Sequence, residues 1–414
     1  MAREMRNSGL SAIGAVPSDW HVTRGKNVLM PLSRPVKDDD GVITCFRDGK
    51  VTLRSNRRTD GFTISLKEIG YQGIEPGDLV VHGMDGFAGA IGISDSRGKA
   101  SPVLNVLDSS QDKRYLMYYL RALAYREVYL ALADGIRVRS CNLSWKKISE
   151  LPILLPTIEE QRRIADYLDA KCSEIDEAVQ SAGQSISDYR SYMQICLYKA
   201  VTKGLDSETP LRDTDLEWIE SAPTHWEIAP HKRMMRKIKR LCDHWAGEPV
   251  LSLTTNGVIV RDIASGKGKF PATFDGYQYI SAGNLVLCLF DVDVTPRCVG
   301  LAKQGGVISP AYSQFEMLDG AYAPYYDYYL RAMDDRKLYV HLTSTLRHSF
   351  TEDTFGMIPA LRPPFEEQVR IAAYLDDFCS NVDRLINAKQ SIIADLKAYK
   401  QSLIYETVTG KREV

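Results

Sequence analysis

The 414-residue sequence contains no run of eighteen apolar residues, which leaves no candidate for a membrane-spanning helix. Its first residues, Met1-Ala2-Arg3-Glu4-Met5-Arg6, lead into no apolar stretch, so no secretory leader and no membrane partner are expected. The eight cysteines (45, 141, 172, 196, 242, 288, 298 and 379) include no C-x-x-C, and reduced thiols in a cytoplasmic protein are expected rather than zinc ligands. Net charge is only −1, which argues against a protein that coats nucleic acid along its length. Motifs for chemistry are missing as well. Gly266-Lys267 is followed by Gly268 and has Arg261 where a phosphate-binding loop needs its first glycine. No glycine-rich methyl-donor loop occurs, and Pro363-Pro364-Phe365 lacks the acceptor that would hold a flipped adenine. His82, His341 and His348 show no metal-ligand spacing, and the acid pairs Glu159-Glu160 and Asp376-Asp377 suit caps and solvated helix faces. No catalytic residue, metal or cofactor is therefore expected. The chain reads as one that binds and positions.

What is present is a repeat. Leu151-Pro152 … Pro156-Thr157-Ile158-Glu159-Glu160-Gln161 … Ile164-Ala165 … Tyr167-Leu168-Asp169 returns 207 residues later, in 358–376, with Pro363, Glu366-Glu367-Gln368, Ile371-Ala372 and Tyr374-Leu375-Asp376. Pro17-Ser18-Asp19-Trp20 matches Pro223-Thr224-His225-Trp226, and Gly77-Asp78-Leu79-Val80 matches Gly283-Asn284-Leu285-Val286. Tyr118-Tyr119-Leu120-Arg121-Ala122 recurs as Tyr328-Tyr329-Leu330-Arg331-Ala332. Between these anchors the halves diverge. Two copies of one unit imply a pseudo-twofold molecule, for which duplex DNA is a natural partner.

Each half has two parts. Residues 17–150 and 223–357 are turn-rich with short apolar runs, which predicts irregular sheets with one helix per half, near 112–133 and 325–340. Residues 157–203 and 364–410 change period. Leu168, Cys172, Ile175, Val179 and Ile186 lie on a seam spaced by alternating fours and threes, and the second copy keeps Leu375, Cys379, Val382, Ile386, Ile393, Leu396 and Leu403. Lys389, Lys400 and Thr407 interrupt it. A helix of some 47 residues is about 70 Å long and needs a mate. Antiparallel pairing of the two copies is expected, with an intermolecular coiled coil as the alternative. The expected fold is mixed α/β (α+β): two domains with irregular sheets joined by two long helices, pseudo-twofold.

Basic residues cluster locally. Residues 231–240 hold six Lys/Arg and no acid, and 47–58 hold Arg47, Lys50, Arg54, Arg57 and Arg58 against Asp48 alone. Such clusters fit a restricted DNA footprint, with a solvated charged face as the competing reading.

Along its whole length this layout resembles the specificity (S) subunit of type I restriction-modification systems. The resemblance rests on the twice-occurring Pro-x-x-Glu-Glu-Gln-x-x-Ile-Ala-x-Tyr-Leu-Asp helix opening and on the Pro-x-x-Trp that leads into each variable domain. Ser11-Ala12 departs from the Glu217-Trp218 of the second copy. The resemblance implies target recognition domains at 1–150 and 208–357, each reading one half of a bipartite, asymmetric site in double-stranded DNA. It implies spacer helices at 151–207 and 358–414 that dock two methyltransferase (M) subunits, with two endonuclease/translocase (R) subunits as optional further partners. The subunit itself would be non-catalytic. Candidate DNA contacts are then Arg47, Lys50, Arg54, Arg57, Arg58, Arg137 and Arg139 in the first domain. In the second they are Lys232, Arg233, Arg236, Lys237, Lys267, Lys269, Arg347 and His348. The rival from another class is a coiled-coil adaptor carrying two protein-binding modules.

Overall fold

The computed structural model describes residues 3–10, 13–57, 68–131, 143–263, 271–343 and 346–414. It divides into two compact units, Met1–Gly183 with Gln390–Val414, and Gln184–Lys389. Each unit thus holds one mixed domain and half of each long helix.

The two units repeat one architecture strand for strand. In the first, a four-stranded antiparallel sheet runs Met30–Pro31, Leu104–Asp108, Leu79–His82, Ile91–Ile93. In the second the order is Met235–Ile238, Ser313–Met317, Leu285–Leu287, Val299–Leu301, again antiparallel throughout. Beside each sheet lies a hairpin: Ile43–Cys45 with Val51–Leu53, and Val250–Thr254 with Gly257–Val260. Each hairpin meets one further strand pair through parallel contacts, Val42 to Lys99 in the first unit and Val250–Leu251 to Val307–Ile308 in the second.

The continuous apolar runs are explained by this layering. Leu79 and Val81 point into the core that contains the Lys113–Tyr125 helix, while Val80 faces Ile43, Cys45 and Val51 of the hairpin layer. A strand covered on both faces loses the in-out alternation of a half-exposed one. Val286 does the same in the second unit, packing with Leu251 of its hairpin.

The tyrosine-bearing helices are shorter than the sequence suggests, spanning Lys113–Tyr125 and Ala323–Asp335. Each chain segment turns two residues later at a left-handed non-glycine residue, Glu127 (φ 57°) and Lys337 (φ 52°). Neither position carries the glycine that would have marked a stop.

The long helices span Ile158–Lys203 (46 residues) and Phe365–Val408 (44 residues), within two residues of the expected bounds. Within the first unit, Leu168, Cys172, Ile175 and Val179 of one share a core with Leu396, Leu403, Ile404 and Val408 of the other. Within the second, Tyr192 packs edge-on against Phe378, ring centroids 5.7 Å apart. Cys379, Val382 and Ile386 are buried there and Leu375 is fully so, while Ile186 is buried on the facing helix segment. Ile393, in the first unit, is half-buried. Two of the three seam interruptions, Lys400 and Thr407, are accommodated by hydrogen bonding. Lys400 Nζ reaches Asp176 at 2.6 Å, and the buried Thr407 hydroxyl donates to the Leu403 carbonyl at 2.7 Å.

Candidate nucleic-acid interface

The repeated motif residues turn out to be the joint between each domain and its helix. The buried Trp20 indole donates to Glu160 at 3.1 Å, and Trp226 to Glu367 at 3.0 Å. Gln161 and Gln368 are fully buried. Each accepts from a backbone N–H at the start of a tyrosine helix, Asp112 at 3.1 Å and Tyr322 at 2.8 Å. Each also donates back to the carbonyl of the proline before its own helix, Pro156 at 3.0 Å and Pro363 at 2.8 Å. Tyr118 donates to Asp169 (2.8 Å) and Tyr328 to Asp376 (2.7 Å). Every polar atom so buried needs a partner, which is why these residue types recur while their surroundings drift.

The candidate DNA contacts lie on segments whose sequences differ between the two halves. In the first domain the hairpin 46–50 carries Arg47 and Lys50, both exposed. Arg47 pairs with Asp85 at 2.8 Å. Arg57 pairs with Asp48 at 2.8 Å and lies over Phe46, 4.5 Å from the ring centroid. Arg54 donates to Thr44 at 3.2 Å. The structure therefore gathers Arg47, Lys50 and Arg57 around one hairpin tip.

In the second domain Lys232, Arg236 and Lys237 line an open cleft of about 500 Å³ floored by Met235, Phe315 and Leu318. Arg236 donates to Glu316 at 2.8 Å, and Lys237 lies 2.8 Å from Glu352, whose carboxyl it holds below the usual range. Arg233 stands 3.7 Å from Glu227. Exposed pairs of this kind are worth roughly 0–1 kcal/mol, so their cations can exchange a carboxylate for a phosphate at little cost. Arg347 is exposed, and His348, at φ 42°, sets Nδ1 2.7 Å from the Thr343 hydroxyl; neither lines that cleft. Arg58, Arg137, Arg139, Lys267 and Lys269 lie outside the described residues, as do Ser11 and Ala12.

One member of the basic run belongs elsewhere. His231 is fully buried, stacked on Phe355 with centroids 4.7 Å apart, and burial pushes its pKa down to about 3. It is a neutral core residue.

Sequence reasoning passed over two arginines that hold hairpin tips. Arg121, buried in the tyrosine helix, donates to the Asp48 carbonyl at 2.9 Å and to the Tyr125 hydroxyl at 3.1 Å. Arg297 donates to the Thr255 carbonyl at 3.1 Å and to Val299 at 2.9 Å. Arg121 sits inside a repeated motif, which was a signal. Arg297 sits in none.

The fold is shared with solved structures from type I restriction-modification systems, a specificity subunit among them. The chain superposes with a TM-score of 0.70 on a chain from a solved structure on complex assembly and conformational transition of the type I system, at 17% identity, covering 96% of this chain and 99% of that one. The HsdS subunit of Thermoanaerobacter tengcongensis gives 0.51 at 16% identity, covering 96% and 98%. In sequence the chain is 21% identical over 435 residues to a Methanocaldococcus jannaschii protein provisionally named as the specificity subunit of the type I restriction enzyme MjaX, covering 97% of this chain and 96% of that protein. No family model matches the chain. The resemblance seen in the sequence thus holds over nearly the whole chain. No helix among the described residues is long and apolar enough to cross a membrane.

Proposed function

We propose that this chain is the DNA-specificity subunit of a type I restriction-modification complex. Each mixed domain, 1–150 and 208–357, binds one half of a bipartite asymmetric site in double-stranded DNA. The helical regions 151–207 and 358–414 pair as an antiparallel coiled coil, set the spacing between half-sites and dock two M subunits, which carry the adenine chemistry. R subunits join the same assembly where restriction accompanies methylation. The chain is non-catalytic and works in the cytoplasm. One observation carries the reading: a single joint, Trp–Glu, Gln–backbone and Tyr–Asp, is built twice, and each copy holds a domain whose sequence between the repeated anchors diverges. A constant joint under divergent loops suits two heads that read different half-sites. The pairing is supported by the shared core of 168–179 with 396–408 and by the Tyr192–Phe378 contact.

The test is to co-express the chain with its M subunits and sequence adenine methylation in the host genome. A bipartite consensus with a fixed spacer is expected. Methylation of one uninterrupted motif, or of no defined sequence, would sink the reading, and loss of salt-dependent DNA binding in the assembled complex would favour a protein adaptor.

A further inference from the structure

The two hairpins occupy equivalent places in their domains, and both are stiffened by the same two devices. The first is a glycine at the middle of the neighbouring strand. A Cβ on Gly92 would fall 1.9 Å from the Gly49 carbonyl oxygen, and one on Gly300 would fall 2.9 Å from Leu253 and Val258 side chains of the second hairpin. Each hairpin therefore lies closer to its sheet than any larger residue would allow. The second device is the arginine on a tip carbonyl, Arg121 on Asp48 and Arg297 on Thr255. Beside each stands a left-handed glycine, Gly49 at φ 89° and Gly257 at φ 90°. A Cβ on Gly49 would meet the Arg121 guanidinium at 2.5 Å.

The arginines come from different places, one from the tyrosine helix and one from the segment before strand Val299–Leu301. Arg331, the sequence counterpart of Arg121, instead faces Asp335 at 3.7 Å. The same clamp has thus been built from unrelated positions, on tips whose outward residues differ. Arg47 and Lys50 project from one tip, while Thr255 and Asn256 are the exposed pair of the other. A tip packed on its sheet and bonded to an arginine holds its exposed residues in one fixed presentation, as a surface that recognises a partner requires.

We infer that the hairpin tips 46–50 and 254–257 are the base-reading elements of the two domains, entering the major groove of duplex DNA as β-ribbons, with Arg121 and Arg297 as the positioning residues that fix them. The inference rests on the DNA-recognition reading above. It moves the reading head of the second domain away from the basic strand 235–238, which is left to contact phosphate. A two-stranded ribbon fits the major groove, and a tip held rigid in advance pays little ordering entropy on binding. The tip chemistry also assigns bases. Asn256 matches the N6/N7 edge of adenine, and Arg47 or Lys50 matches the O6/N7 edge of guanine.

The test uses the full chain assembled with its M subunits and reads the consensus of methylated adenines. Asn256→Ala, at an exposed tip residue that borders an open cleft with Asp327 and Asp376 and whose side chain has no hydrogen-bond partner among the described residues, relaxes one A·T position in one half-site by about 10- to 100-fold and leaves the other half-site and the spacer unchanged. Lys50→Ala does so at a G·C position of the other half-site. Arg297→Met relaxes the same half-site as Asn256→Ala, and Arg297→Lys, which keeps a donor for the Thr255 carbonyl, restores most of the preference. Wild-type consensus from both tip variants overturns the inference, whatever the arginine variants do. So does equal relaxation of both half-sites by either one. A wild-type complex without a bipartite consensus defeats the functional reading itself, an outcome distinct from both.

Discussion

Lys400 sets its ammonium 2.6 Å from the carboxylate of Asp176, joining two helix segments 224 residues apart in the chain. The lysine is largely buried while the aspartate is 63% exposed, so solvent screens the pair and it is worth at most about 1 kcal/mol. Lys400→Leu extends the apolar seam at this position. Thermal melting should then shift by no more than a few degrees, upward or not at all, and the variant's melting temperature should respond less to salt than the parent's. A drop of ten degrees would mean that the ion pair organises the helix contact.

The joint should be far less forgiving. Glu160→Ala strands the buried Trp20 N–H and leaves Arg3, which bridges Glu160 and Asp19, with Asp19 alone. The expected loss is about 1–3 kcal/mol of unfolding free energy, with a shift in tryptophan emission. Glu367→Ala should do the same through Trp226. If the two variants differed grossly in stability, the joints would be alike in geometry but not in energy.

The acid sensitivity of the second unit follows from His231. Its folded pKa, about 3, lies below the unfolded value near 6.5. Between those values only the unfolded chain binds the proton. This contribution to stability is complete above pH 6.5 and is lost as pH falls toward 3, at up to about 1.4 kcal/mol per pH unit. His231→Phe keeps the stack on Phe355 and removes the titration. Denaturant midpoints at pH 7 and pH 5 should converge in the variant; an unchanged difference would place the sensitivity in other groups.

Gly183 is exposed in the middle of the first long helix, and a Cβ there would meet nothing within 4 Å. Gly183→Ala should therefore stabilise the chain by about 1 kcal/mol through helix propensity alone. Calorimetry would show a higher melting temperature. A lower one would reveal that this position needs to bend.

Length is the remaining lever. Four residues inserted in each long helix, near Gly183 and Gln390, add about 6 Å, nearly two base-pair steps. The spacer of the methylated site should lengthen while both half-sites keep their sequence. An unchanged spacer would show that the helices do not measure the distance.

The sequence was most legible where one rule acts locally. Seam periodicity located both long helices to within two residues because a 3.5-residue repeat sustained over several heptads has no other use. The echo of Trp, Glu-Glu-Gln and Tyr-Leu-Asp marked the joints without explaining them, since a Trp20–Glu160 bond spans 140 residues. The helix ends at Tyr125 and Asp335 went unseen because the left-handed turns that follow them, at Glu127 and Lys337, carry no glycine. The hairpin tips were half visible: charge picked out 46–50, but 254–257 carries no charge, and Arg297 is tied to it only through a tertiary fold. His231, which opens the basic run, is held neutral in the core by burial, a fact the sequence alone did not reveal.

The joints also bear on how such a chain could change over generations. Everything a domain needs in order to be mounted is carried by a few residues at its root, and the two roots are interchangeable in kind. A recombination that replaced one whole domain between Trp and the helix opening would inherit a working mount with no compensating mutation. Variety could then arise by transplant rather than by drift, each crossover yielding at once a molecule that folds and a pairing of domains that its lineage had not tried.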